Sequence, residues 1–137
     1  MSSAVPDLHP HMVAVRGALE GAGLVVGDGG APPPQAIPAT GIYVALYFDP
    51  GQSLSESLAD ARTDFVVSFQ VTCVGPTATK CLWAAQRTRL ALHGRLTVDG
   101  RAPWRPEELG GPPVQRDDDV SPPLFYLPVQ YRLMSTS

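Results

Sequence analysis

The sequence predicts an α+β fold: a mainly antiparallel or mixed sheet, two helices packed on one of its faces, and a long loop between two strands. Three observations carry that expectation. Segments 7–23 and 75–94 place apolar residues at helical spacing. Segments 42–48, 65–74 and 124–133 alternate as half-buried strands do. The order is helix, two or three strands, helix, then short strands, without the regular β–α alternation of a parallel sheet.

The first helix is expected within "DLHPHMVAVRGALEGAG", where Leu8, Met12, Val15, Leu19 and Ala22 share one face. Asp7 is its N-cap, Pro10 is tolerated in the first turn, and Gly21 or Gly23 stops it. "LVV" reads as a short strand and "GDGGAPPPQAIPA" as loop. In "IYVALYF", Ile42, Val44, Leu46 and Phe48 point one way and Tyr43, Ala45 and Tyr47 the other. The polar stretch 49–63 is expected to be a long connection, and loops of that length in a small domain are usually functional or disordered. "FVVSFQVTCV" is the strongest strand, with Phe65, Val67, Phe69, Val71 and Cys73 on one side.

The second helix follows in "GPTATKCLWAAQRTRLALHG", capped by Thr77 and ended at Gly94. Its buried face is expected to hold Ala78, Cys81 or Leu82, Ala85 and Leu92, with Lys80, Arg87 and Arg89 mostly outside. Asp99-Gly100 has the signature of a tight hairpin turn, and "RPEELGGPP" reads as loop. In "PLFYLPVQYRL", Phe125, Leu127, Val129, Tyr131 and Leu133 point inward. Pro128 cannot donate to a ladder, which predicts an edge or bulged strand.

At 137 residues the chain is expected to form one domain over 1–137. The net charge of −3 argues against broad affinity for nucleic-acid phosphates. The charge is uneven: residues 1–77 carry two basic and seven acidic residues, and residues 78–137 carry eight and six. That asymmetry would let one half face the other half of a neighbouring copy. The N-terminus lacks the pattern of a secretory signal, and no apolar run reaches the roughly 20 residues of a membrane helix. Cys73 and Cys81 fit neither a zinc ribbon nor a CxxC pair, as expected of buried thiols in a reducing cytoplasm.

No constellation points to catalysis, a cofactor or a metal. His9 and His11 flank Pro10 without nearby acids or thiols, and read as solvent-facing residues at a helix start. His93 suits the C-terminal end of a helix dipole. The glycine pairs lack phosphate-loop spacing, and no nucleophile elbow or HExxH is present. Two acidic stretches remain. Asp49, Glu56 and Asp60, with Arg62, lie in the long loop, read either as a solvated loop or as an arm that orders against a partner. Arg116 precedes Asp117, Asp118 and Asp119, three adjacent carboxylates that repel one another. Asx turns account for one or two of them, and the spacing of an EF-hand is absent. A contact loop that meets arginines of another subunit is the remaining reading.

The pair of segments "FQVTCVGPTATKCLWAAQRTRLAL" and "VQRDDDVSPPLFYLPVQYRL" resembles the small tail terminator proteins of long-tailed, siphovirus-like bacteriophages of actinobacteria, over roughly residues 41–134. The resemblance implies a ring, usually of six copies, on the head-proximal end of the tail tube. Such a ring stops polymerisation of the tube protein and presents a surface to the head-side connector. It implies no catalysis, no cofactor and no membrane, and DNA that passes through the lumen without specific binding. The chain would be made in the host cytoplasm and reside at the head–tail junction of the virion. On that basis Arg116 and Asp117–Asp119 would lie at a subunit or partner contact, and Asp49, Glu56, Asp60 and Arg62 would face the lumen or tube. Tail-completion and head–tail connector proteins of the phage neck are the neighbouring alternatives. A small α+β binding domain or enzyme is the alternative from another class.

Overall fold

The computed structural model describes residues 6–54 and 64–136. Helix α1 spans Leu8–Gly21. Asp7 caps it, its side chain accepting from the His9 backbone N–H at 3.1 Å. Strand β1 (Val26–Asp28) lies two residues beyond the expected "LVV". A single 3-10 turn, Pro34–Ala36, follows in the proline-rich loop. Then come β2 (Tyr43–Phe48), β3 (Gln52–Leu54) and β4 (Asp64–Gly75). Helix α2 (Ala78–Ala91) is capped by Thr77, whose hydroxyl accepts from the Lys80 N–H at 3.1 Å. The chain closes with β5 (Glu107–Gly110), β6 (Gln115–Asp117) and β7 (Leu124–Ser135).

The strands form one seven-stranded mixed sheet in the order β1-β2-β4-β7-β5, with β3 added to β4 and β6 to β7. Only the β1–β2 pair is parallel; the others run antiparallel. The pairing of β4 with β7 runs without a break from Phe65↔Ser135 to Gly75↔Phe125 and is the spine of the molecule. Alternation along it sends Phe65, Val67, Phe69, Val71 and Cys73 to the helix side, where they are buried with Val15 and Leu19 of α1 and Cys81 and Ala84 of α2. Both helices therefore pack on one face, and the α+β expectation holds. Phe69 is stacked between Phe48 (4.9 Å between ring centroids) and Tyr131 (5.4 Å) at the middle of this core. Gly75 lets β4 turn tightly into α2, since a Cβ there would lie 2.8 Å from the Cys81 backbone nitrogen.

Several expectations need correction. The last strand is interior, not at an edge: β4 lies on one side of it and β5 and β6 on the other. Pro128 falls within residues 127–129, which neither β5 nor β6 pairs, so neither outer strand needs its missing N–H. The segment 107–110 is strand β5, with a bulge between Glu108 and Gly110, and not loop. The long connection after β2 is partly strand: after an irregular step at 49–51, where Gly51 has φ +75°, β3 continues in the direction of β2 along β4. The Asp99-Gly100 turn is present, closed by Arg101 N–H to Val98 O at 3.0 Å, but it joins an isolated Leu96–Trp104 bridge instead of two strands.

The buried face of α2 keeps Cys81, Ala85 and Leu92 as expected but differs elsewhere. Cys81, Ala84 and Thr88 are buried, while Ala78 and Leu82 are exposed. Thr88 is admitted to the core because its hydroxyl donates to the Ala84 carbonyl at 2.9 Å.

Candidate functional site

The helix-free face of the sheet is partly open: Tyr43, Ala45 and Val74 on it are buried, while the rest reaches the surface to differing degrees. Directly paired residues on adjacent strands share a face. The pairings thus place Tyr43, Ala45 and Tyr47 of β2 beside Val74, Thr72 and Gln70 of β4, and those beside Tyr126, Pro128 and Gln130 of β7. Polar side chains there bond to one another, between β7 and β4 and along β4. Gln130 Nε2 donates to Gln70 Oε1 at 2.7 Å, and Gln70 Nε2 to Thr72 Oγ1 at 2.7 Å. Tyr47 and Met134 stay exposed on it.

Two concavities mark the ends of this face. At the end where β4 finishes and β7 begins, one of about 280 Å³ is lined chiefly by Tyr43, Tyr47 and Tyr126 with Thr72, Leu124 and Asp117. Burial, with the Tyr47 phenol nearby, pushes the Tyr43 hydroxyl above its ordinary pKa of 10. At the opposite end, a second of about 390 Å³ is lined by Val66, Arg105, Glu107, Arg132 and Met134. Arg132 donates there to Glu107 across the β5–β7 pair at 2.8 Å.

The aspartate run has definite contacts within the subunit. Arg116 and Asp117 belong to β6, paired with Phe125 and Leu124 of β7. The Arg116 guanidinium donates to Asp118 Oδ1 at 2.5 Å and lies 5.9 Å from the centre of the Phe125 ring. Asp117 Oδ1 accepts from the Asp119 N–H at 3.0 Å, the Asx turn foreseen for one of the three. Asp118 and Asp119 are exposed, and the Ser121–Pro122 peptide that follows is cis. Of the long-loop residues, Asp49 is exposed and accepts from Gly51 N–H at 2.9 Å and Ser68 N–H at 3.2 Å, so it ties the irregular step between β2 and β3 to β4. Glu56, Asp60 and Arg62 lie outside the described residues. Asp49 and the aspartate run are not brought together: Asp117 sits where β7 begins, Asp49 further along β4 beside Ser68.

The helix side carries features that the sequence concealed. His11 is buried, not solvent-facing as expected; His9 is exposed. The His11 Nδ1–H donates to the Asp7 carbonyl at 2.7 Å, and the ring lies 5.3 Å from Phe65 and 5.6 Å from Trp104. Among the described residues its Nε2 and the Trp104 Nε1–H have no partner. Burial is the main cause that lowers the His11 pKa below 6.5. The signal available was position: residue 11 continues the spacing of Val15 and Leu19. Burial also raises the thiols, Cys73 to about 12 and Cys81 to about 11, so neither is a ready nucleophile. Arg87 donates to the Ala22 carbonyl at the end of α1, and Arg89 makes a forked pair with Glu108 of β5 at 2.9 and 3.1 Å. Leu82, Trp83 and Leu90 remain exposed on α2.

Among the described residues no group of three or more His, Cys, Asp or Glu could hold a metal ion, and no helix is long and apolar enough to cross a membrane. No family model and no curated protein matches the chain. Solved structures do. A chain of the virion of a native gene transfer agent particle superposes with a TM-score of 0.56 at 18% identity, covering 91% of this chain and 93% of that one. That likeness is one of fold.

Proposed function

We propose that this chain is a structural virion protein: a single-domain subunit of a six-membered ring that caps the head-proximal end of a phage tail tube. The ring stops tube polymerisation and joins the tail to the head-side connector. The observation that carries this reading is the fold shared, along nearly the full length of both chains, with a component of the gene transfer agent virion. The choice of the tube end rests on the resemblance of residues 41–134 to tail terminators. In this reading the chain runs no reaction and takes no cofactor.

A head-to-tail ring uses two unlike patches on each subunit. The open sheet face offers them, an acidic and aromatic end and a basic end. Arg116 and Asp117–Asp119 lie at or beside the subunit contact, and residues 49–63 face the lumen or the tube. Acidic groups lining the lumen repel passing DNA, so the genome slides through without being held.

The test is control of tube length. Tail tube protein polymerised with this chain should give tubes of limited length with the chain at one end. Without it, growth should continue. Tubes whose length ignores the chain refute the proposal.

A further inference from the structure

Resting on the ring reading, we propose that the tyrosine-lined concavity receives an arginine side chain of the adjacent copy, and that this arginine is Arg105. Tyr43, Tyr47 and Tyr126 wall the concavity and Asp117 lies at its margin. Phenol rings attract a guanidinium over their faces, and a carboxylate offers it a forked hydrogen-bonded partner. The site therefore has the chemistry of an arginine receptor. It is also held in shape. The Tyr126 hydroxyl donates to Gln115 Oε1 at 2.8 Å, and Asp117 is fixed through its bond from the Asp119 N–H at 3.0 Å. That bond uses one carboxylate oxygen; among the described residues the other has no partner.

The complementary charge lies on the same chain. Among the described arginines, six have a hydrogen-bond or ion-pair partner within the subunit: Arg16, Arg87, Arg89, Arg101, Arg116 and Arg132. Arg95 and Arg105 are exposed and have none among the described residues. Arg105 is the one that lines the concavity at the opposite end of the open sheet face, beside Arg132 and Met134. An acceptor at one end and a donor unpaired among the described residues at the other cannot meet within one subunit. They can meet between copies arranged head to tail, and the contact then repeats around a closed ring. Arginine and tyrosine are the residues that most often dominate such contacts.

The experiment uses the full chain, alone and with tail tubes. Asp117→Asn keeps the oxygen that accepts from the Asp119 N–H, so the turn survives while the charge is lost. Arg105→Gln removes the other partner from an exposed position. Each should lower the assembled fraction about tenfold, and the double variant should be no worse than either alone, because both remove one contact. A photo-crosslinking phenylalanine analogue at Tyr47 should form adducts with the Arg105 segment of a second copy. Normal assembly of both variants, or adducts on the tube protein instead, overturns the pocket and leaves the ring standing. A wild-type chain that forms no assembly, free or on tubes, overturns the ring reading and the pocket with it.

Discussion

Burial of His11 between Phe65 and Trp104 takes an imidazole out of water and favours its neutral form, lowering its pKa. The lowered pKa has a definite consequence for stability. Below about pH 6.5 the unfolded chain takes up a proton at this residue that the native chain resists, so stability falls as pH drops from there toward the native pKa. Asp7, whose carbonyl accepts from the ring, partly offsets the effect of burial, while Arg101 adds to it. Urea unfolding at pH 7.5 and 5.5 should show the loss, and His11→Phe should remove most of it. An equal slope in the variant contradicts the assignment. The sequence hid this residue because a histidine beside Pro10 at a helix start reads as polar surface. Thr88 was hidden in the same way: it reads as a polar helix residue, although a bond to the Ala84 carbonyl one turn back in α2 satisfies its hydroxyl and makes its burial tolerable. Asp117 was read correctly as far as chemistry allows: a turn explains one carboxylate, and the neighbours of the others depend on contacts no sequence spacing reveals.

At the level of elements, the long periodic segments were legible and the short edge strands were not. Helices α1 and α2 and strands β2, β4 and β7 each bury an alternating or helical stripe, and the stripe is in the sequence. β3, β5 and β6 are three or four residues long and mostly exposed. They exist because β4 and β7 outrun their neighbours and leave backbone groups to pair. Pro128 misled for the same reason: its place inside the sheet depends on a gap between β5 and β6. The spine formed by β4 and β7 makes a quantitative claim. Phe69 packs between Phe48 and Tyr131 at its centre, so Phe69→Ala should lower unfolding free energy by about 3–5 kcal/mol in denaturant melts. A loss under about 1 kcal/mol would mean the core lies elsewhere. The Arg89–Glu108 pair between α2 and β5 is exposed, and Glu108→Gln should cost no more than about 1 kcal/mol in the same melts.

For the whole molecule, one face of the sheet is covered by helices and the other is partly exposed, with tyrosines and an acid at one end and arginines at the other. The proposed ring would use this polarity head to tail. Replacing Asp117, Asp118 and Asp119 together by Asn should therefore impair assembly far more than folding, read as unchanged thermal unfolding with loss of the assembled species. A triple variant that still builds normal tails removes the aspartate run from the contact. The fold class was legible from the order of elements, and the polarity of the open face was not, since it arises only when β2, β4 and β7 come side by side. The native mass of the chain, alone and in the presence of tail tubes, tests the ring most directly. Six copies of the 14.6 kDa chain, a species of about 88 kDa or its tube-bound equivalent, is the predicted result. A chain that stays at the mass of one subunit and leaves the tubes bare would contradict it.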